Sequence, residues 1–347
     1  MDRRVMIVNR MIRCTLPPAS KKMRKRVRSF FSISLASLIN PGVTTHAFGL
    51  QRNHRACVTA DVDDQWTEVA KRIADELKLP YMSLDDEIDE ALECSHILDV
   101  VTYGDTYALG IRPMPSTNTL TTTTSATKRR QKQPRILRRT AGSPLPFIVD
   151  FLPSQDSRIA NRVKSKSDML IKAVAPNKVP GGARVLDLTA GFGQDSLLML
   201  ENGASAVHMV ERDPVVASLL QDALRRRSIA IDPSIDRLSL SVGNGLDIMK
   251  SIPGTVDVCY LDPMFPPRTK SAAVKKNMQI LHSLLESQQQ HLDDQVDLLE
   301  SALWMAQSRV VVKRPIHAVP LGNGAAPKPS FEIRGSVNRF DVYVAKS

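Results

Sequence analysis

What most constrains this chain is its second half, where short branched and apolar runs alternate with helix-length segments from Pro146 onward. Residues 183–189 read as a short buried strand that enters Ala190-Gly-Phe-Gly-Gln-Asp195, after which residues 196–201 are helical. Ala206–Glu211 reads as a second strand, and Pro214 in a first helical turn opens a helix over 215–227. Leu238–Val242, Val256–Leu261 and residues 309–313 supply further strands, and Phe331–Arg334 with residues 340–344 a closing antiparallel hairpin. Buried strands separated by helices require a mostly parallel sheet covered on both faces, here an α/β fold of Rossmann-like form. Ligands of such sheets bind beyond the carboxyl ends of the strands, where the strand order reverses.

The unusual residues sit at those ends. Gly191 and Gly193 allow a tight turn and a close approach of backbone to ligand, which a Cβ would obstruct. Glu211, closing the second strand, can accept both hydroxyls of a ribose. A nicotinamide cofactor would use the same two devices, so they leave the nucleotide open. The position after Gln194-Asp195 is Ser196 and not a third glycine, and Asp195 sets a carboxylate where a pyrophosphate would be repelled. A donor with a cationic centre and an amino-acid end fits better, and S-adenosylmethionine has both.

The fourth strand runs into Tyr260-Leu-Asp-Pro-Met-Phe-Pro-Pro267. An acid followed by proline, a spacer and an aromatic ring resembles the Asp/Asn-Pro-Pro-Tyr/Phe loop of methyltransferases that act on exocyclic amino nitrogens. Asp262 and the carbonyls constrained by Pro263 and its neighbours can accept both N–H bonds of an amino group, and Phe265 can stack on the base, an interaction of about 1–3 kcal/mol. Methyl transfer is an in-line displacement that positioning and charge placement accelerate, so no metal is demanded.

Asp187-Leu-Thr-Ala-Gly-Phe-Gly-Gln-Asp195, Glu211-Arg-Asp-Pro-Val-Val-Ala217 and Tyr260–Pro266 together resemble the RsmJ family, bacterial methyltransferases of guanine N2 in small-subunit ribosomal RNA. Residues 270–276, 310–315 and 339–343 extend the similarity, which spans 149–343 and, more faintly, 69–111. The resemblance implies a class I fold with a seven-stranded sheet, S-adenosylmethionine as cofactor, and small-subunit ribosomal RNA or the ribosomal subunit as partner. It implies cofactor contacts from Asp187, Gly191, Gly193, Gln194, Asp195, Glu211, Arg212, Asn244, Gly245 and Asp262, and a catalytic loop of Asp262, Pro263 and Phe265. Gln194 and Asn244-Gly245 depart from the family's Arg and small hydroxyls at those places. Ahead of the first strand the family's glycine-rich basic stretch is replaced by Arg158, Arg162, Lys164 and Lys166. These cations, with Lys270, Lys275, Lys276, Lys313 and Arg314, are expected to grip RNA phosphates around the strand ends. An adenine-N6 methyltransferase on DNA or RNA, a catalytically silent ribosome-assembly protein and a dehydrogenase are the alternatives.

The first half reads differently. Through Arg55 the only acid is Asp2, and a basic run from Met23 precedes an apolar stretch over 30–39 and Ala47-Phe48. This is a targeting composition. Residues 1–56 are therefore expected to be a disordered leader for an organelle, a plastid before a mitochondrion, with a cytoplasmic RNA-touching arm as the alternative. The stretch is short of the roughly 20 residues a membrane helix needs, so no membrane is expected for the mature form. Residues 57–112 read as a small α+β unit, 113–145 as a low-complexity basic linker or insertion, and 146–347 as the methyltransferase domain. The net charge of +11 concentrates in the leader and linker. Cys14, Cys57, Cys94 and Cys259 lie too far apart in sequence to signal a zinc site or a disulfide framework.

Overall fold

The computed structural model describes residues 56–60, 64–83, 94–114, 145–152, 169–230, 237–263, 276–285, 292–318, 321 and 326–345. All of the expected leader but Ala56, which opens the first strand, and all but the ends of the expected linker lie outside the described residues. Residues 51–347 form one compact unit.

Its first part is a sheet of β1 (Ala56–Ala60), β2 (His96–Tyr103), β3 (Thr106–Pro113) and β4 (Phe147–Ile148), in that order, with helix α1 (Thr67–Leu77) packed on it. Ala70, Ile73 and Ala74 form the buried stripe of α1, at the spacing of one helical face. The sheet takes its last strand from beyond the basic segment, across the boundary expected between the two units. Gly110 permits this, since a Cβ there would stand 2.6 Å from Pro146 Cβ, and Gly110 pairs with Ile148.

The second part is built from β5 (Arg184–Asp187), α2 (Gln194–Glu201), β6 (Ala206–Glu211), α3 (Pro214–Ala230), β7 (Leu238–Val242), α4 (Gly245–Ser251), β8 (Val256–Leu261), α5 (Lys276–Leu285), α6 (Leu292–Met305), β9 (Ala306–Pro315), β10 (Phe331–Arg334) and β11 (Asn338–Val344). The seven strands lie in the order β10-β11-β9-β8-β5-β6-β7. β5 to β9 are mutually parallel, and β11 runs antiparallel to β9 and β10. Alternate residues feed opposite faces, as the pleat dictates. Val185 pairs with Val258 in the core that also holds Met199 and Leu220, while Leu186 pairs with Cys259 in the core beneath α4 and α6. Both faces are thus dry, which is what the continuous apolar runs in these strands require.

A charge knot on α3 joins the two sheets. Asp222, buried, accepts from Leu109 N–H at 2.9 Å and from Arg226 Nε at 2.9 Å. Arg225 donates to the Tyr107 carbonyl and stacks on the Tyr107 ring at 3.9 Å. Arg226 reaches the Val149 carbonyl, and Arg227 the Phe151 carbonyl at 2.7 Å. The basic triplet of this helix is an internal clamp, and the apolar core runs unbroken from Val58 and Leu98 through to Val185 and Leu220.

Candidate active site

The strand order reverses around β5, with β6 and β7 on one side and β8 and β9 on the other. The loops that leave β5, β6 and β8 therefore converge on one crevice. They are stitched together there. Leu188 N–H donates to the Tyr260 carbonyl at 2.9 Å, Ala190 N–H to the Val210 carbonyl at 3.0 Å, and Asp262 N–H to Thr189 Oγ1 at 2.6 Å.

The two loop glycines are both left-handed, with φ of 54° at Gly191 and 68° at Gly193, but they do different work. A Cβ on Gly193 would stand 2.6 Å from Phe151 Cζ, so this glycine makes room for the core beneath the loop. At Gly191 the nearest atom would be Leu281 Cδ2 at 3.5 Å, an ordinary contact, so packing does not demand this glycine and its left-handed φ does. Glu211 braces the loop from below: Oε2 accepts from Gly191 N–H at 2.9 Å and Oε1 from Asp213 N–H at 2.8 Å. Burial pushes its carboxyl up to about 7. Each oxygen retains a second lone pair, which is what a ribose hydroxyl can use. Asp187 is also buried, accepting from the Ser196 hydroxyl and from Thr189 N–H, and burial likewise raises it to about 7. It acts on the cofactor site by holding the glycine loop in shape.

The crevice itself carries a cluster that no single stretch of sequence contains. Lys313 Nζ lies 2.7 Å from Asp195 Oδ2 and 2.7 Å from Asp262 Oδ2, and the Tyr260 hydroxyl donates to Asp195 Oδ2 at 2.6 Å. Sheet register brings them together: Leu261 pairs with Val312, so one further step sets Asp262 beside Lys313. Burial opposes the charge on Lys313, but Asp262 and Asp195 outweigh it and raise the ammonium's pKa. Burial raises Asp262, Lys313 works against that rise, and Asp195 adds to it. One cation between two carboxylates leaves a local excess of negative charge when both are ionised. Asp262 keeps 37% of its side chain exposed, and its Oδ1 accepts no hydrogen bond from a described residue.

Of the remaining expected cofactor residues, Gln194 is exposed at the start of α2 and Arg212 is half-buried after β6. Asn244 caps α4, its Oδ1 accepting from Leu246 N–H at 2.9 Å, so its amide N–H groups are what it has left for a ligand. Gly245 is pressed against Leu298 and Leu188, a packing reason for the absent side chain. Pro263 is buried behind Asp262. Phe265, Arg158, Arg162, Lys164, Lys166, Lys270 and Lys275 lie outside the described residues, as does the side chain of Lys276.

Two expected phosphate contacts are corrected. Lys313 is taken up by its two carboxylates, and Arg314, pointing to the other side of β9, is 3% exposed and paired with Asp341. Strand alternation explains the pair's separation, and adjacency in sequence concealed it. Sequence reasoning also missed Thr189, Ser196, Tyr260 and Asp213. Only Asp213 had a local signal: an Asp before proline at a helix start, where its Oδ1 accepts from Val215 and Val216 N–H at 2.9 and 3.0 Å.

The donor set suits S-adenosylmethionine. Acids stand at the ends of β5, β6 and β8, a left-handed glycine lines the turn, and two carboxylates flank one ammonium beside it. The sequence profile described as putative SAM-dependent methyltransferase matches residues 118–345. The chain is 38% identical over 205 residues to ribosomal RNA small subunit methyltransferase J of Marinobacter nauticus, covering 58% of this chain and 71% of that protein. With the protein of the same name from Pseudomonas aeruginosa it shares 39% over 220 residues, 61% and 79% of the two chains; with that of Aeromonas hydrophila, 42% over 204 residues, 56% and 77%. Among solved structures it is similar to a SAM-dependent methyltransferase of Neisseria gonorrhoeae, with a TM-score of 0.49 and 25% identity over 83% of this chain and 95% of that one. The profile covers about two thirds of the chain and the curated relatives are matched over 71–79% of their own length, and the chain belongs to the RsmJ family of S-adenosylmethionine-dependent methyltransferases.

Proposed function

We propose that this protein methylates the exocyclic N2 of a guanine in small-subunit ribosomal RNA, and does so in an organelle. The observation that carries the chemistry is Asp262: Oδ2 is engaged by Lys313, and Oδ1 accepts no hydrogen bond from a described residue. The choice of RNA rests on the names of the relatives. When bound, S-adenosylmethionine supplies an electrophilic methyl on a positively charged sulfur. The Asp195–Lys313–Asp262 cluster favours that charge, and Glu211 and the Gly191 turn hold the nucleoside end. Asp262 Oδ1 accepts an amino N–H, aligning the nitrogen lone pair with the methyl. Rate then comes from positioning and from fixed charges in place of reorganising water. A base whose amino group reaches Asp262 has to leave its stack, so the target is single-stranded or extruded, at about a few kcal/mol.

The test is incubation with labelled donor and small-subunit particles from a plastid, followed by mapping of modified nucleosides. N2-methylguanosine is expected; label appearing only as N6-methyladenosine refutes the guanine assignment, and no label at all favours the silent assembly protein. The organelle assignment rests on the acid-poor basic N-terminus. Fusing residues 1–60, and separately 23–60, to a fluorescent reporter should give organellar signal from at least one, and a plastid is expected. Cytosolic signal from both removes the assignment.

A further inference from the structure

Lys313 was expected at the RNA, yet its ammonium is shared between two carboxylates at 2.7 Å each. A cation so neutralised has little to offer a phosphate. Nor can it serve as a base, since the flanking acids stabilise its protonated form. What it does hold is Asp262. The backbone N–H of Asp262 is pinned by Thr189 Oγ1 and its Oδ2 by Lys313. The residue is thereby fixed at its backbone and at one carboxylate oxygen, and no described residue donates to Oδ1. Asp195 in turn is fixed by Tyr260 and by Lys313.

Resting on the methyl-transfer reading above, we propose that Lys313 is the positioning residue of the transfer step: its ammonium orients Asp262 and keeps it a carboxylate, so that Oδ1 takes the proton released by the amino nitrogen. The balance is complete without another reactant. The nitrogen lone pair forms the new N–CH3 bond as the S–CH3 bond breaks, sulfur keeps that bond's electron pair and leaves as a neutral thioether, and the surplus N–H proton passes to Asp262 and on to water. Among the described residues, the charged and titratable groups around Asp262 are Lys313 from β9, Asp195 from α2, Tyr260 from β8 and Asp187 from β5. Only Lys313 among them is cationic, so its removal leaves Asp262 facing acids and a phenol, a setting that favours the protonated carboxyl.

Two measurements on the full chain test this. Unmethylated small-subunit ribosomal RNA with labelled donor gives kcat and KM across pH for the wild type, Lys313→Met and Lys313→Arg. At pH 7 Lys313→Met should lose about 100-fold in kcat, the scale of a lost proton acceptor, with both KM values within about threefold. A loss of about 100-fold by protonation at pH 7 places its acid limb at about pH 9, so that activity is regained toward alkaline pH. Lys313→Arg should keep the wild-type limb. A loss of the same factor at every pH, or none, overturns the proposal. Separately, carbon-13 titration of aspartate carboxyls in donor-free protein, with Asp262 assigned through Asp262→Asn, should show its midpoint raised in Lys313→Met and unmoved in Lys313→Arg. An unmoved midpoint in Lys313→Met overturns it too, and Lys313→Gln replaces that variant should it not fold. If the midpoint moves while the wild type methylates no ribosomal RNA, the substrate reading fails and the hold of Lys313 on Asp262 stands.

Discussion

Gly191 and Gly193 are two residues apart, share a left-handed backbone, and should nonetheless respond very differently to alanine. At either site a Cβ in the left-handed region costs about 1–2 kcal/mol. At Gly191 that is the whole penalty, because the nearest atom to the new methyl is Leu281 Cδ2 at 3.5 Å. At Gly193 the methyl would meet Phe151 Cζ at 2.6 Å, Leu220 Cδ2 at 3.0 Å and Met209 Sδ at 3.1 Å. All three belong to one packed cluster and cannot all retreat. Overpacking of this kind adds about 1–3 kcal/mol, so Gly193→Ala should lose about 2–5 kcal/mol in all. Against a total stability of about 5–15 kcal/mol that is a large fraction. Urea unfolding followed by far-UV circular dichroism reads it directly, provided the slope m stays that of the wild type. Midpoints for the two variants that agree within experimental error would refute the reasoning, since the difference between them comes only from what lies beneath Gly193.

Asp262→Ala should abolish methyl transfer while donor affinity, measured by equilibrium dialysis, stays within a few-fold; parallel loss of both would mean that Asp262 mainly serves the cofactor. Glu211 and Asp187, with carboxyls raised to about 7 by burial, bind protons when folded at a pH where the unfolded chain has released them. Their contribution to stability is therefore full on the acid side and declines as pH rises to about 7. The ligand-free protein should melt lower at pH 8 than at pH 6, and Glu211→Gln should shrink that difference; an undiminished difference excludes Glu211 as its source. Arg226→Met strips Asp222 of a partner where both side chains are 2% exposed. Breaking a buried pair this way costs about 3–5 kcal/mol, and chemical denaturation should show it, whereas Lys250→Ala, removing an exposed i,i+3 pair with Asp247, should leave the midpoint unchanged.

Much of the fold was legible because its signals are local. The branched apolar runs mark strands buried on both faces, Pro214 marks the start of α3, and the Gly-x-Gly turn and the Asp-Pro step lie at strand ends where the pattern breaks. Glu211 and Asp262 could be picked out for the same reason: an acid that closes an apolar run has few structural uses. What remained hidden lies in pairings between distant segments. Tyr260 reads as one more apolar strand residue, and only the fold brings its hydroxyl to Asp195. Nothing local marks the Arg225–Arg227 triplet, yet it closes on the carbonyls of Tyr107, Val149 and Phe151, at least 76 residues earlier.

By itself the sequence determined the order of the strands from β5 to β11, the strand ends that carry chemistry and the type of donor those ends suit, since each follows from side-chain period and backbone freedom within a few residues. Which strands are neighbours was decided by the tertiary structure. Placing β9 beside β8 in one particular register turns Lys313 toward two carboxylates and Arg314 toward Asp341, and a shift of one residue would exchange them. Register is set by the sum of contacts across the whole sheet, and no window of the chain contains that sum.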